Sequence, residues 1–488
     1  MKKRLLALTV AMIMAASTLV ACGGTTDPAN TNGNGTTEDG GSSDDGSGES
    51  GDAGDAGNSG DAGDSGDAGD SGESDVPENE ISGDASAEDA FVVWGWNTDI
   101  KNILDNVYAE AEPDNYSRIV FVNTGGSDFY QTKIDAMLDD TTNELYPDLM
   151  GLEVDYVQKY VNSGYLLSNE DLGITDADMS EMYQYNIDLG TNKDDGKVYA
   201  FFWQATPGCF QLRADLAEQY LGTTDPDVLH DTVFCDTDTI IAKAQEVYEA
   251  SEGNVALFGG YDELLRMFQN SRTVGWYDAN DTVTIDDQMD LYLDVAAEIA
   301  PYTHLTSQWG DSWNAEKDGM GTSDTDKAAI AYCGCPWFTY FCLTDTWKDN
   351  TILVEAPYGF FWGGTGLAAT AECSDVELAA NIIKNFTCDT DFMVKINEYN
   401  SDFVNNKAAV SAQAGKDNDF TANDQDLLGF YQPKANSIDA STITAEDQTI
   451  NSLFNAQVDA VAQQGKDKNE AIEAFKDAVV DTYNYLSK

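Results

Sequence analysis

The chain has 488 residues, 87 of them acidic and 25 basic, for a formal net charge of −62. So acidic a surface repels phosphates and anionic headgroups, which argues against a nucleic-acid partner. Nine Trp and 23 Tyr supply material for ordered cores and for flat apolar binding surfaces.

Residues 1–21 read as an address and not as fold. Lys2, Lys3 and Arg4 precede an apolar run from Leu5 to Val20 that is too short and wrongly flanked for a membrane span. From residue 22 to 89 Gly, Asp, Ser and Ala dominate, and Gly51 to Gly72 repeats Gly-Asp-Ala or Gly-Asp-Ser every three residues. No proline interrupts that repeat, so a collagen helix is excluded, and low hydrophobicity with dense like charge predicts a disordered tether. A Gly-rich coil of this length reaches about 45 Å, further when its carboxylates repel one another.

About 400 residues remain, more than one core serves, so two lobes are expected. Phe91 to Trp96 reads as a buried strand, Ile100 to Ala111 as an amphipathic helix, and Ile119 to Val122 as a second strand. A helix follows Gly125-Gly126-Ser127-Asp128, then a strand at Pro147–Leu152 and a helix at Tyr156–Val161. This alternation argues a parallel sheet covered on both faces, whose ligands settle beyond the C-terminal strand ends. Trp96, Asn97, Asp99, Glu153 and Asp155 lie just past such ends.

Val198 to Gln204 is a further strand, and Cys209 to Leu212 the expected first crossing into the second lobe. Helices are predicted at Asp215–Tyr220, Thr239–Ala250, Tyr261–Asn270 and Gln288–Ile299, with strands at Val255–Phe258 and Ala328–Tyr332. Gly275-Trp276-Tyr277 reads as a loop. Gly334-Cys335-Pro336-Trp337 is a turn opening a helix. Tyr358 to Thr370 carries three aromatic residues into Gly363-Gly364. Paired glycines there permit close approaches that a Cβ resists, so the segment reads as a strand crossing back and showing Trp362 to the cleft. Helices at Val376–Phe386, Asp391–Tyr399, Asp447–Gln464 and Asn469–Leu486 complete the chain.

Seven cysteines lie beyond Cys22, most of them expected to be buried small apolar residues, with a Cys373–Cys388 bridge left open. The two histidines, His230 and His304, sit in no ligand pattern. Asp236-Thr-Asp238 and Asp278-Ala-Asn280-Asp281 lack the glycine and distal glutamate of an EF-hand loop, so no metal and no cofactor is called for.

Several motifs then come in a telling order: Leu19-Val20-Ala21-Cys22, the acidic tether, the Trp-tipped first strand, and Asp215-Leu216-Ala217. Lys327-Ala-Ala-Ile-Ala-Tyr, Gly-x-Pro-Trp, Trp-Gly-Gly-Thr-Gly-Leu-Ala and Glu377-Leu-Ala-Ala-Asn-Ile-Ile-Lys-Asn-Phe follow. The set resembles the extracellular solute-binding lipoproteins of bacterial carbohydrate ABC importers, the maltose-binding-like family, over residues 90 to 488. The first motif resembles a lipobox, which implies cleavage before Cys22 and lipidation of its sulfur. The resemblance implies a two-lobe α/β fold of type II, each lobe a mostly parallel sheet flanked by helices, joined by crossing strands and closing by hinge motion. Lobe 1 is expected to comprise 90–207 and 364–430, lobe 2 to comprise 208–363 and 431–488. Carried over singly, Trp337 matches the family's stacking tryptophan, and Trp96, Asn97 and Asp99 the loop after the first strand. Glu153 and Asp155 match the loop after the third strand, Trp203 and Gln204 the segment before the first crossing, Trp362 the return crossing, and Trp276 a second-lobe aromatic loop.

The implied function is a membrane-anchored, monomeric receptor on the outer face of the cytoplasmic membrane, delivering an oligosaccharide to permease subunits without transforming it. A sugar ring lays its C–H face on an indole while carboxylates and amides take its hydroxyls. A disaccharide at roughly 0.3 kcal/mol per heavy atom would bind near micromolar. The competing readings are a receptor for a peptide or polyamine on the same fold, and a surface glycosidase working through two carboxylates.

Overall fold

The computed structural model describes residues 77–488. The leader, Cys22 and most of the expected tether lie outside the described residues. Among the described residues, no helix is long and apolar enough to cross a membrane.

The architecture is α/β with two apolar cores, one per lobe. The first is built on a six-stranded sheet of β1 (Glu80–Ser82), β2 (Phe91–Gly95), β3 (Ile119–Asn123), β4 (Leu149–Glu153), β5 (Phe201–Phe202) and β11 (Thr365–Ala369). Their order is β1-β3-β2-β4-β11-β5. Parallel pairing holds β3, β2 and β4 together at its centre. These strands read as continuous apolar runs because helices cover both faces: every residue of β2 is buried. β11 returns antiparallel between β4 and β5.

The second core lies around three antiparallel strands, β6 (Cys209–Arg213), β9 (Ala331–Gly334) and β10 (Thr351–Val354), in the order β10-β6-β9. A short parallel pair, β7 (Val255–Ala256) with β8 (Ala328–Ala329), adjoins it. Among the described residues, parallel pairing of these strands is therefore confined to the centre of the first sheet and to this pair. The C-terminal helices Asp447–Gln464 and Lys468–Thr482 bury Phe454, Val458, Phe475 and Val479 in the second core.

Two chain segments cross between the lobes side by side. Gly208 N donates to Phe360 O at 2.7 Å and Trp362 N to Thr206 O at 3.0 Å, with Pro207 bridged to Phe361. A Cβ on Gly208 would lie 2.1 Å from the Phe360 ring, so only glycine allows this approach. Gly363 and Gly364 both adopt positive φ, which turns the chain from this ribbon into β11. The third crossing falls later than expected: Tyr431, Ala435, Ile438 and Ile443 pack in the first core, and the second begins again at Ile450. The proposed lobe limit at residue 431 thus moves past 443, because helix Leu427–Ala435 turns Leu427, Leu428 and Tyr431 toward the first sheet.

The last residues of the expected tether are folded. Within 77–89, β1 pairs antiparallel with the edge strand β3, Glu80 opposite Asn123. Lys133 Nζ fixes the entry by donating to Pro77 O, Asn79 Oδ1 and Thr124 O. A three-residue, fully exposed edge strand has little apolar pattern by which a sequence announces it.

Candidate ligand-binding site between the lobes

The junction of the lobes is built from the end of β4, the return crossing and two aromatic turns of the second lobe. Glu153 closes β4, opposite Thr365 of β11. Its Oε2 accepts from Asp155 N at 2.6 Å, and its Oε1 lies 3.2 Å from where a Gly363 Cβ would be. The same point is 3.5 Å from Trp337 Nε1. A carboxyl from the first lobe and an indole from the second thus meet at a glycine of the crossing segment. Burial pushes the Glu153 carboxyl well above the usual carboxylate range, and the neighbouring Asp155 charge adds to this.

Asp155 reaches across to the second lobe. Arg266, in the helix Leu265–Gln269, donates through Nη1 to Asp155 Oδ1 at 2.9 Å and through Nη2 to Oδ2 at 2.8 Å. This bidentate pair ties the lobes together, with the side chains 19% and 32% exposed.

The return crossing and the second lobe supply an aromatic cluster in which Trp337 and Trp309 are half-buried, whereas Trp362, expected to show itself to the cleft, is only 3% exposed and packs in the second core behind them. Trp337 opens the helix Pro336–Phe341 and its ring centroid lies 4.9 Å from that of Trp362. Its indole N–H donates to Trp362 O at 3.0 Å, so Trp337 offers a ligand its face and not its donor. Trp309 lies nearly parallel to Trp337, at 6.2 Å and 23°, and 5.7 Å from Trp362. Trp313 and Phe338 back these three rings.

The remaining expected residues divide. Trp96 is 9% exposed and packs edge-on to Tyr130 and Tyr156 in the first core. Tyr156 joins it to the Glu153 turn by donating its N–H to Glu153 O, and the buried Tyr156 hydroxyl has no partner among the described residues. Asn97 and Asp99 are partly buried and satisfy each other: Asn97 Nδ2 donates to Asp99 Oδ2, and Asp99 N to Asn97 Oδ1. Burial raises the Asp99 carboxyl.

Trp203 and Trp276 need correction. Both are fully buried, Trp203 in the first core and Trp276 in the second. Trp203 Nε1 donates to Asp402 Oδ2, while Trp276 is held by Asn451 Oδ1, by Phe454 and Phe475, and by the Arg272 guanidinium 4.6 Å from its ring. They are packing residues, since a large ring in a complete shell of partners has no face left for a ligand. Gln204 is likewise engaged, donating to Asp402 Oδ1 and accepting from Thr365 N, which braces the crossing.

Arg266 and Trp309 were not singled out from the sequence. Arg266 carried no motif, and only a cation in a strongly acidic chain, on a helix beginning near Tyr261, could have marked it. No group of side chains among the described residues is arranged to hold a metal ion. Asp236 instead caps the helix Thr237–Ala250, and Asp278 Oδ1 accepts from Asn280 N and Thr282 N in a local turn. All seven described cysteines are free thiols, so the Cys373–Cys388 bridge is absent.

No family model matches the sequence, and no curated protein matches it either. Solved structures do. An extracellular solute-binding protein of family 1 superposes with a TM-score of 0.68 at 16% identity, covering 80% of this chain and 99% of that one. The GacH receptor of Streptomyces glaucescens, solved unliganded and with acarbose, gives 0.61 at 17% identity over 82% and 99%. The sugar-binding protein MalE of Xanthomonas citri gives 0.62 at 12% identity over 80% and 96%. The chain therefore has the two-lobe fold of solute-binding proteins.

Proposed function

We propose that this protein is an extracellular receptor that captures a neutral saccharide between its lobes and hands it to an ABC importer. The observation that carries this reading is the junction itself. Glu153 of the first lobe and Trp337 of the second meet at Gly363 of the crossing segment, the Asp155–Arg266 pair joins the two lobes, and Trp309 adds a second half-buried ring to that of Trp337. Rings give the C–H faces of a sugar an apolar surface, and the polar groups beside them orient its hydroxyls. Asp155 and Arg266 join only when the lobes approach, so closure and ligand capture are coupled.

The ligands of proteins with this fold support the same class: β-1,6-galactobiose is bound by a protein of Bifidobacterium animalis subsp. lactis and lacto-N-biose by one of Bifidobacterium longum. The leader of residues 1–21, followed directly by Cys22, supports attachment through a lipid to the outer face of the cytoplasmic membrane, with the acidic segment as spacer and permease subunits as partners. The chain acts as a monomer in this reading. Calorimetry with acarbose, β-1,6-galactobiose, lacto-N-biose and maltotriose tests it. Micromolar binding of at least one without turnover is expected, and a folded protein that binds none of them refutes it.

A further inference from the structure

One ring of the aromatic cluster is presented in an unusual way. Trp309 has φ of +72°, a left-handed backbone that a bulky side chain adopts only under constraint. Leu305, four residues earlier, is also left-handed, at +57°. The constraint is visible on every side of this loop. Gly259 O accepts from His304 N and from Thr306 N. Gln308 N donates to Asp262 Oδ2 at 2.8 Å, and Gln308 Nε2 to Glu263 Oε2 at 3.1 Å. Thr306 Oγ1 donates to Glu316 Oε2, and Asn314 Nδ2 donates to Trp309 O. The fit leaves no spare volume. A Cβ on Gly260 would lie 2.0 Å from Thr306 O, and one on Gly259 would lie 2.6 Å from Thr306 Oγ1.

This cradle holds a tryptophan in an unfavourable backbone so that its ring lies partly exposed, almost parallel to Trp337. A core residue gains nothing from such an arrangement, since Trp313, one helical turn on, already fills the interior and is fully buried. Trp309 also keeps its indole N–H without a partner among the described residues, unlike Trp313, which donates to Glu263, and Trp337, which donates to Trp362. An exposed face beside a second ring, with a free donor at its edge, matches the mixed apolar and hydroxyl surface of a saccharide.

We propose that Trp309 is a ligand-contacting ring, extending the surface of Trp337 to a second sugar unit, so that the site takes saccharides of two or more units. This rests on the sugar-binding reading above. Glycine adopts the left-handed backbone freely, so Trp309→Gly removes the ring while relieving the strain, and Trp309→Phe keeps an aromatic face. The full chain and both variants are applied to an array of neutral mono- to hexasaccharides, with melting followed by circular dichroism. The expected result is a melting temperature for Trp309→Gly within a few degrees of the parent. Its affinity for di- and longer saccharides should fall about tenfold or more, corresponding to about 1.4 kcal/mol, with that of Trp309→Phe kept within about threefold. Trp309→Gly binding as the parent does, or losing its melting transition together with its binding, overturns the assignment. A parent chain that binds nothing on the array overturns the sugar reading itself, and this inference with it.

Discussion

Replacing Arg266 by methionine removes the guanidinium that joins the lobes while keeping an apolar stem of similar length. Both hydrogen bonds to Asp155 are short and parallel, at 2.9 and 2.8 Å. Two unit charges about 4 Å apart attract by about 4 kcal/mol at the effective dielectric of a protein surface. Most of this is offset, because opening returns both groups to water, and side chains 19% and 32% exposed have not lost all their hydration. A net contribution of about 1–2 kcal/mol to closure remains, above the value for a fully exposed pair. Its loss lowers the closed-to-open ratio about 5- to 30-fold. The exposed thiol of Cys235 in the second lobe and a cysteine introduced by Val376→Cys on the first provide label sites for a distance measurement between the lobes. In Arg266→Met the distance lengthens in the ligand-free protein and returns to the parental value at saturating sugar. The double variant with Asp155→Asn separates the coupling of the pair from the cost of leaving Asp155 alone. An unchanged distance distribution in Arg266→Met, with unchanged sugar affinity, refutes the role of this pair in closure.

Stability should also depend on pH in an unusual direction. Burial raises Glu263 to about 8, Asp262 to about 6 and Asp402 to about 6, with neighbouring carboxylates adding to the effect. The folded chain then holds protons that the unfolded chain gives up above the ordinary carboxylate range. Each group therefore costs about 1.4 kcal/mol per pH unit between its unfolded and folded values. The melting temperature is expected to rise from pH 8 to pH 5, and Glu263→Gln to flatten the part between pH 6 and 8. Gly208→Ala places a Cβ 2.1–2.4 Å from the Phe360 ring in the crossing ribbon, so it should destabilise by about 1–3 kcal/mol in a denaturant titration. Cys235 is the exposed member of the seven described thiols, whereas burial pushes Cys209, Cys342 and Cys373 up to about 12 and Cys388 to about 11. A disulfide reagent should accordingly titrate one of these seven rapidly in the native protein and all seven in denaturant.

The parts of the fold legible in the sequence are those where one local signal decides the structure. Phe91–Gly95 and Leu149–Glu153 are buried on both faces and read as unbroken apolar runs, and Asp375 announces its helix by capping Leu378 N. The Gly363-Gly364 turn was legible for the same reason, because positive φ at two successive positions leaves few residue types. Strands Glu80–Ser82 and Thr351–Val354 and helix Asp311–Lys317 were not. Each depends on a partner far along the chain: β1 on β3, β10 on β6, and the helix on Trp313 filling the second core. The tryptophans show the same limit. Trp96, Trp203, Trp276 and Trp362 all sit beside turns or strand ends, yet once the lobes have packed all four are buried. Trp203 and Trp276 find complete shells, while Trp337 and Trp309 are left with open faces at the junction. Whether a ring becomes core or platform is thus decided by packing between distant segments, here by the cradle at Gly259, Gly260, Asp262 and Glu263, about fifty residues before the tryptophan it presents.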